Sequence, residues 1–138
     1  MTETRWKLLV LSLMGGFVLM AFEVRSMHEY VIPKNPQGWI PVIASWLGVL
    51  LCLALIAARP KTAKIAMVGF LAIAGAGGFG AYRHSEGRME PFMSTISVTI
   101  PALKPKGQHE PAPGPPLAPL ALCGLGLMGL IASTNEKR

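Results

Sequence analysis

Four uncharged apolar runs separated by short polar connections organise this chain. They cover Leu8–Phe22, Trp39–Ala58, Ile65–Tyr82 and Leu117–Ser133, and none contains Lys, Arg, Asp, Glu or His. Crossing the hydrocarbon core of a bilayer takes about 20 predominantly apolar residues, with a lower limit of about 17. The second run meets this outright, the third and fourth come close, and the first needs its flanks. Helices of a soluble domain would carry a charged face, and these runs have none. The pattern predicts an all-α integral membrane protein with four transmembrane helices, at about 6–24, 39–58, 65–84 and 117–134. They form a single domain over 1–138, with outer connections at 25–38 and 85–116.

The connections refine that picture. The first helix meets no breaker before Pro33, so it is expected to run on through Met27 and His28, with Arg25 and Glu29 four apart and able to pair on one face. Val31–Gly38, with two prolines and a glycine, reads as an ordered turn. Trp39 and Pro41 open the second helix, where a first-turn proline is tolerated and a tryptophan suits the headgroup level. The longest connection contains Ser94–Ile100, whose polar and apolar residues alternate with period two. That alternation predicts one short β-strand, which must find a pairing partner because a lone strand is not stable. The proline-rich stretch Lys104–Pro116 favours an extended course without internal hydrogen bonds.

Charge supplies an orientation. Short loops rich in Lys and Arg stay in the cytoplasm, and Arg59–Lys64 is a tight connection with three basic residues and no acidic one. Four spans then put both termini in the cytoplasm, in agreement with Arg5 and Lys7 near the start and Lys137 and Arg138 near the end. The expected location is the cytoplasmic (inner) membrane. The net charge of +6 does not indicate nucleic acid, because the basic residues flank apolar runs instead of lining one stripe. Met1–Phe22 has the charged and apolar parts of a signal peptide, but no small-x-small site follows at Ala21-Phe22-Glu23, so an uncleaved first helix is expected. Cys52 and Cys123 fall in apolar runs at different depths, which argues against a bridge between them.

Candidate chemistry is sparse. All three histidines lie beyond the apolar runs on the outer side, each near a glutamate: His28 with Glu29, His84 with Glu86, and His109 with Glu110. With Met27, Met89 and Met93 in the same connections, they offer ligands suited to copper or zinc, without a dense metal-binding motif. No helix interior carries a histidine for haem. Proton-coupled transport needs an ionisable group within the bundle, and Glu23 stands only at its boundary. No nucleophile–base pair is recognisable, so the chain is not expected to be an enzyme, and no cofactor is specified.

Small residues are the clearer signal. Gly75, Gly77, Gly78 and Gly80 on the third helix, Ala44 and Gly48 on the second, and Gly124 and Gly129 on the fourth let helices approach closely in lipid. The expected function is a non-catalytic accessory or structural subunit of a larger membrane complex, of electron transport for example. Its partners would be the lipid bilayer and other membrane subunits. The alternatives are a metal-binding membrane protein with an outward His/Glu/Met site, and a small homo-oligomeric channel or exporter.

Overall fold

The architecture is that of a computed structural model, which describes residues 2–27, 29, 33–34, 36–85 and 117–134. Helix α1 spans Glu3–Met27, a 3-10 turn covers Pro36–Trp39, α2 runs Ile40–Ser85, and α3 spans Leu117–Thr134. Among the described residues there is no strand. The strand expected at 94–100 and the proline-rich stretch lie outside them.

Helix α1 starts at Thr2, whose carbonyl accepts the Trp6 N–H at 3.0 Å and whose hydroxyl takes a longer contact from the Arg5 N–H at 3.5 Å. Glu3 complements the positive end of the helix dipole and pairs with Lys7 at 3.3 Å. Helix α1 ends at Met27, where the Glu29 N–H donates to Ser26 O at 3.3 Å. The expected Arg25–Glu29 pair does not form. The Arg25 guanidinium instead lies 5.5 Å from the centre of the Trp39 ring. The indole face offers the cation a partner brought in by a neighbouring element, and Glu29 has already left the helix.

The tight turn expected at Arg59–Lys64 joins the second and third spans without leaving the helical ladder. Helical hydrogen bonding continues through it from Ile40 to Ser85. Yet α2 is no straight rod. The Thr62 hydroxyl donates to Ala54 O at 3.0 Å, eight residues back, where a straight helix would separate them by about 12 Å. Gly69 faces the side chain of Leu51, across what would otherwise be about 27 Å. Helix α2 is therefore a hairpin with a helical elbow. Pro60, which has no N–H to give to the ladder, stands at that elbow in the sequence.

Four rods result: α1, the two arms of α2, and α3. Helix α1 runs antiparallel to the first arm, with Phe22 edge-on to Trp46 at 6.3 Å and Gly48 seated against Phe17. Helix α3 runs antiparallel to the second arm, with Gly77 opposite Cys123, Gly126 opposite Ala74, and Gly129 opposite Phe70. Phe17 and Phe70 stack at 6.0 Å in the middle, and both are fully buried. The amino end of α1, the elbow and the carboxyl end of α3 share one end of the bundle, the elbow end. The 3-10 turn and the segments around Val24, Arg83 and Ala118 form the opposite end.

Three segments are long and apolar enough to cross a membrane: Glu3–Ser26, Pro36–Ala57 and Lys61–Arg83. The fourth expected span is the shorter apolar helix Ala118–Thr134. At 1.5 Å per residue α3 reaches about 27 Å, a little under the thickness of a hydrocarbon core. The outer surface is apolar on every rod, with Leu19, Phe22, Ile43, Leu50, Ile65, Val68 and Ile131 all exposed. Water would leave such a surface unstable, and hydrocarbon suits it. The architecture is compatible with a multi-pass membrane protein.

Candidate functional site

Buried polar groups are rare in this bundle, and each has a partner. The Ser45 hydroxyl donates to Pro41 O, and the Ser133 hydroxyl to Gly129 O, both at 2.8 Å and both one turn back along their own helix. The Trp6 indole N–H donates to Ala132 O at 3.1 Å, and the ring is only 2% exposed. Carbonyls in the last turn of a helix have no intrahelical donor, so the indole supplies one from another helix. Among the described residues no buried side-chain nitrogen or oxygen lacks a hydrogen bond. In a medium without water each such omission would cost several kcal/mol, roughly.

The glycines separate into two groups. Those in the first group hold helices together. A methyl group placed on Gly77 would lie 2.7 Å from Pro119 O and 2.8 Å from Cys123 Cα. One placed on Gly126 would lie 2.6 Å from Ala74 N and 2.9 Å from Phe70 O. Each glycine thus fits against the backbone of the opposite helix, and the pair forms a reciprocal seam between α3 and the second arm. Gly48 accommodates the Phe17 ring, and Gly129 the Phe70 ring, with methyl positions 2.6 Å from ring carbons in both cases. Gly80 is less tight, at 3.2 Å from Pro119 Cβ. Ala44 is buried in the core.

Members of the second group meet no other rod among the described residues. At Gly75, Gly78 and Gly124 no described atom beyond the surrounding helix backbone lies within 4 Å of the methyl position. Gly75 and Gly78 share the outward side of the second arm with exposed Ala72, Leu71 and Phe79. Sequence spacing marks Gly48, Gly75, Gly77, Gly78, Gly80, Gly124 and Gly129 alike. It also places no weight on Gly16, which meets Leu125 of α3, or on the two phenylalanines that fill the gaps at Gly48 and Gly129. The signal that finds them is pairing: a glycine on one rod matched by bulk on another.

Of the metal-ligand candidates, Glu29 is exposed in a turn, and His84 has a described backbone at the end of α2 but no described side chain. His28, Glu86, His109 and Glu110 lie outside the described residues. The end of α1 that precedes His28 and the end of α2 that carries His84 are at the same end of the bundle. Among the described residues no group of three or more His, Cys, Asp or Glu is placed to hold a metal ion.

That same end contains a cavity of about 310 Å³. It opens between Val24 of α1, Gly38 of the 3-10 turn, Pro41 of the first arm, Gly80 and Arg83 of the second arm, and Pro119 of α3. Its walls are mainly apolar, and the volume is at the lower end of the range of about 300–1,000 Å³ typical of ligand sites. The small residues at 38 and 80 leave this space open. No protein-family model matches the chain, no curated protein is significantly similar to it, and no solved structure matches it.

Proposed function

We propose that this chain is a non-catalytic subunit of a larger membrane assembly, crossing the bilayer four times with the elbow end in the cytoplasm. The observation that carries the assembly is the open face of the second arm. Ala72, Gly75 and Gly78 present a shallow notch between Leu71 and Phe79, and no described residue of another rod fills it. Lipid tails are as apolar as leucine, so helices associate in a bilayer by close packing, and small residues are what permit it. The same chain already uses glycine this way at Gly77 and Gly126. An unfilled notch of the same composition fits a helix of another subunit. The orientation rests on charge: among the described residues Arg5, Lys7, Lys61 and Lys64 lie at the elbow end, with Glu3 the one carboxylate among them. Described residues of both signs occupy the opposite end: Glu23 and Glu29, with Arg25, Lys34 and Arg83.

The test is affinity purification of the tagged chain from its native membrane at native expression level, in mild detergent. Other polypeptides in fixed stoichiometry are expected, and a Gly75→Leu, Gly78→Leu double variant is expected to lose them while remaining in the membrane. A homogeneous monomer refutes the reading. Copies of this chain alone would replace it with the homo-oligomeric channel or exporter.

A further inference from the structure

The cavity at the end opposite the elbow has a property the packing does not explain. Its walls are Ile40, Ala76, Phe79 and Leu122, yet Gln37 and Arg83 stand among them. Arg83 is the last residue of an apolar segment, at the depth where a membrane helix meets headgroups. Among the described residues no carboxylate is within ion-pair distance of it, the pair found being Lys7–Glu3 at the other end. The amino end of α3, the positive pole of an 18-residue helix, borders the same cavity through Ala118 and Pro119. One side of the space is thus cationic and at headgroup level, and the rest is hydrocarbon-like and reaches down to Gly77 and Leu122.

We propose that this cavity seats one anionic phospholipid, with an acyl chain against Ala76, Phe79 and Leu122 and the phosphate on the Arg83 guanidinium. A guanidinium can donate two parallel N–H bonds to phosphate oxygens, and an anionic headgroup such as phosphatidylglycerol lacks the choline cation that would oppose Arg83 in phosphatidylcholine. The apolar walls match a tail in cross-section, and the glycines at 77 and 80 give it depth. A lipid held there ties α1, both arms of α2 and α3 together at the end that lacks the elbow. The inference rests on the membrane placement proposed above and not on the existence of partner subunits. Release of the protein by alkaline carbonate would remove the membrane reading, whereas the measurements below bear on the cavity alone.

The full chain, delipidated in detergent micelles, is titrated with phosphatidylglycerol or with phosphatidylcholine of the same acyl chains, and adducts are counted by native mass spectrometry. One phosphatidylglycerol per chain is expected, retained about fivefold more strongly than phosphatidylcholine, in keeping with a partly exposed charge pair. Arg83→Gln is expected to abolish the preference, and Ala76→Phe, which fills the cavity, to abolish both adducts. Leu50→Phe on the exposed side of the first arm is the control and is expected to change neither. Phosphatidylglycerol with a photoreactive acyl chain is expected to label residues 76–80 and 118–122. Equal retention of the two lipids by the unaltered chain, undiminished binding by Ala76→Phe, or labelling confined to lipid-facing positions such as Leu50 and Leu53 would overturn the proposal. Because the label reports location on the unaltered chain, it decides the matter even if a variant fails to fold.

Discussion

Adding a single methyl group at Gly77 tests the helix packing where it is tightest. In Gly77→Ala the new carbon would stand 2.7 Å from Pro119 O, against an ordinary carbon–oxygen approach of about 3.3 Å or more. The shortfall is roughly 0.6 Å. The opposing atoms are backbone of α3, so no rotamer change relieves the clash, and α3 must move as a rod. Moving it lifts Gly126 off Ala74 and the Phe70 carbonyl, and Gly129 off the Phe70 ring. Overpacking of this kind costs about 1–3 kcal/mol. The matched control is Gly75→Ala, two residues away on the same arm, where the methyl meets nothing. There alanine regains up to about 1 kcal/mol of helix propensity. Gly77→Ala regains the same propensity, so the two variants should differ by the overpacking cost alone, about 1–3 kcal/mol in the isolated chain. Reversible unfolding in mixed micelles of mild detergent and dodecyl sulfate, followed by tryptophan fluorescence, measures the difference. Two alanine variants within about 0.5 kcal/mol of each other would refute the seam between α3 and the second arm.

Other expectations concern single contacts. Trp6→Phe keeps the buried ring but removes the donor to Ala132 O, and should cost about 1 kcal/mol in the same unfolding assay. Thr62→Val removes the hydroxyl that bridges the elbow to Ala54 O and should destabilise by about 0.6 kcal/mol, whereas Thr62→Ser should not. Arg25→Gln withdraws the cation from the Trp39 ring, costs about 0.5–1 kcal/mol and shifts the tryptophan emission, an effect that Arg25→Lys should largely restore. Cysteines placed at Lys61 and Arg83 should react with an impermeant maleimide from opposite sides of sealed vesicles; labelling of both from one side would exclude the hairpin as two spans.

The rods were legible in the sequence because absence of charge over about 20 residues is a one-dimensional property. The polar break at Arg59–Lys64 located the elbow, but not its form: three basic residues mark exposure, and whether the helical ladder survives a bend depends on local geometry such as the Thr62–Ala54 bond. Small residues announced close packing without saying which contacts use it. Gly75, Gly77 and Gly78 lie within four positions, and only Gly77 faces α3. A helix turns 100° per residue, so neighbours in sequence look in different directions, and which direction is inward is settled by the other rods. The same holds for Gly124 and Gly126, of which the second forms the seam and the first is open. The Arg25–Glu29 expectation failed for a related reason: it counted spacing along one helix, while the competing partner, Trp39, arrives from another element. The end cavity joins residues from 24 to 122 and has no linear signature at all.

The bond from Trp6 to Ala132 links positions 126 apart, which has a consequence for biogenesis. At a synthesis rate of about 5–20 residues per second, the tryptophan is incorporated some 6–25 s before its acceptor. During that interval the indole N–H cannot make its bond to Ala132 O. The contact that joins the first and last helices therefore forms last, after α1 has the first arm to pack against through Phe17 and Phe22.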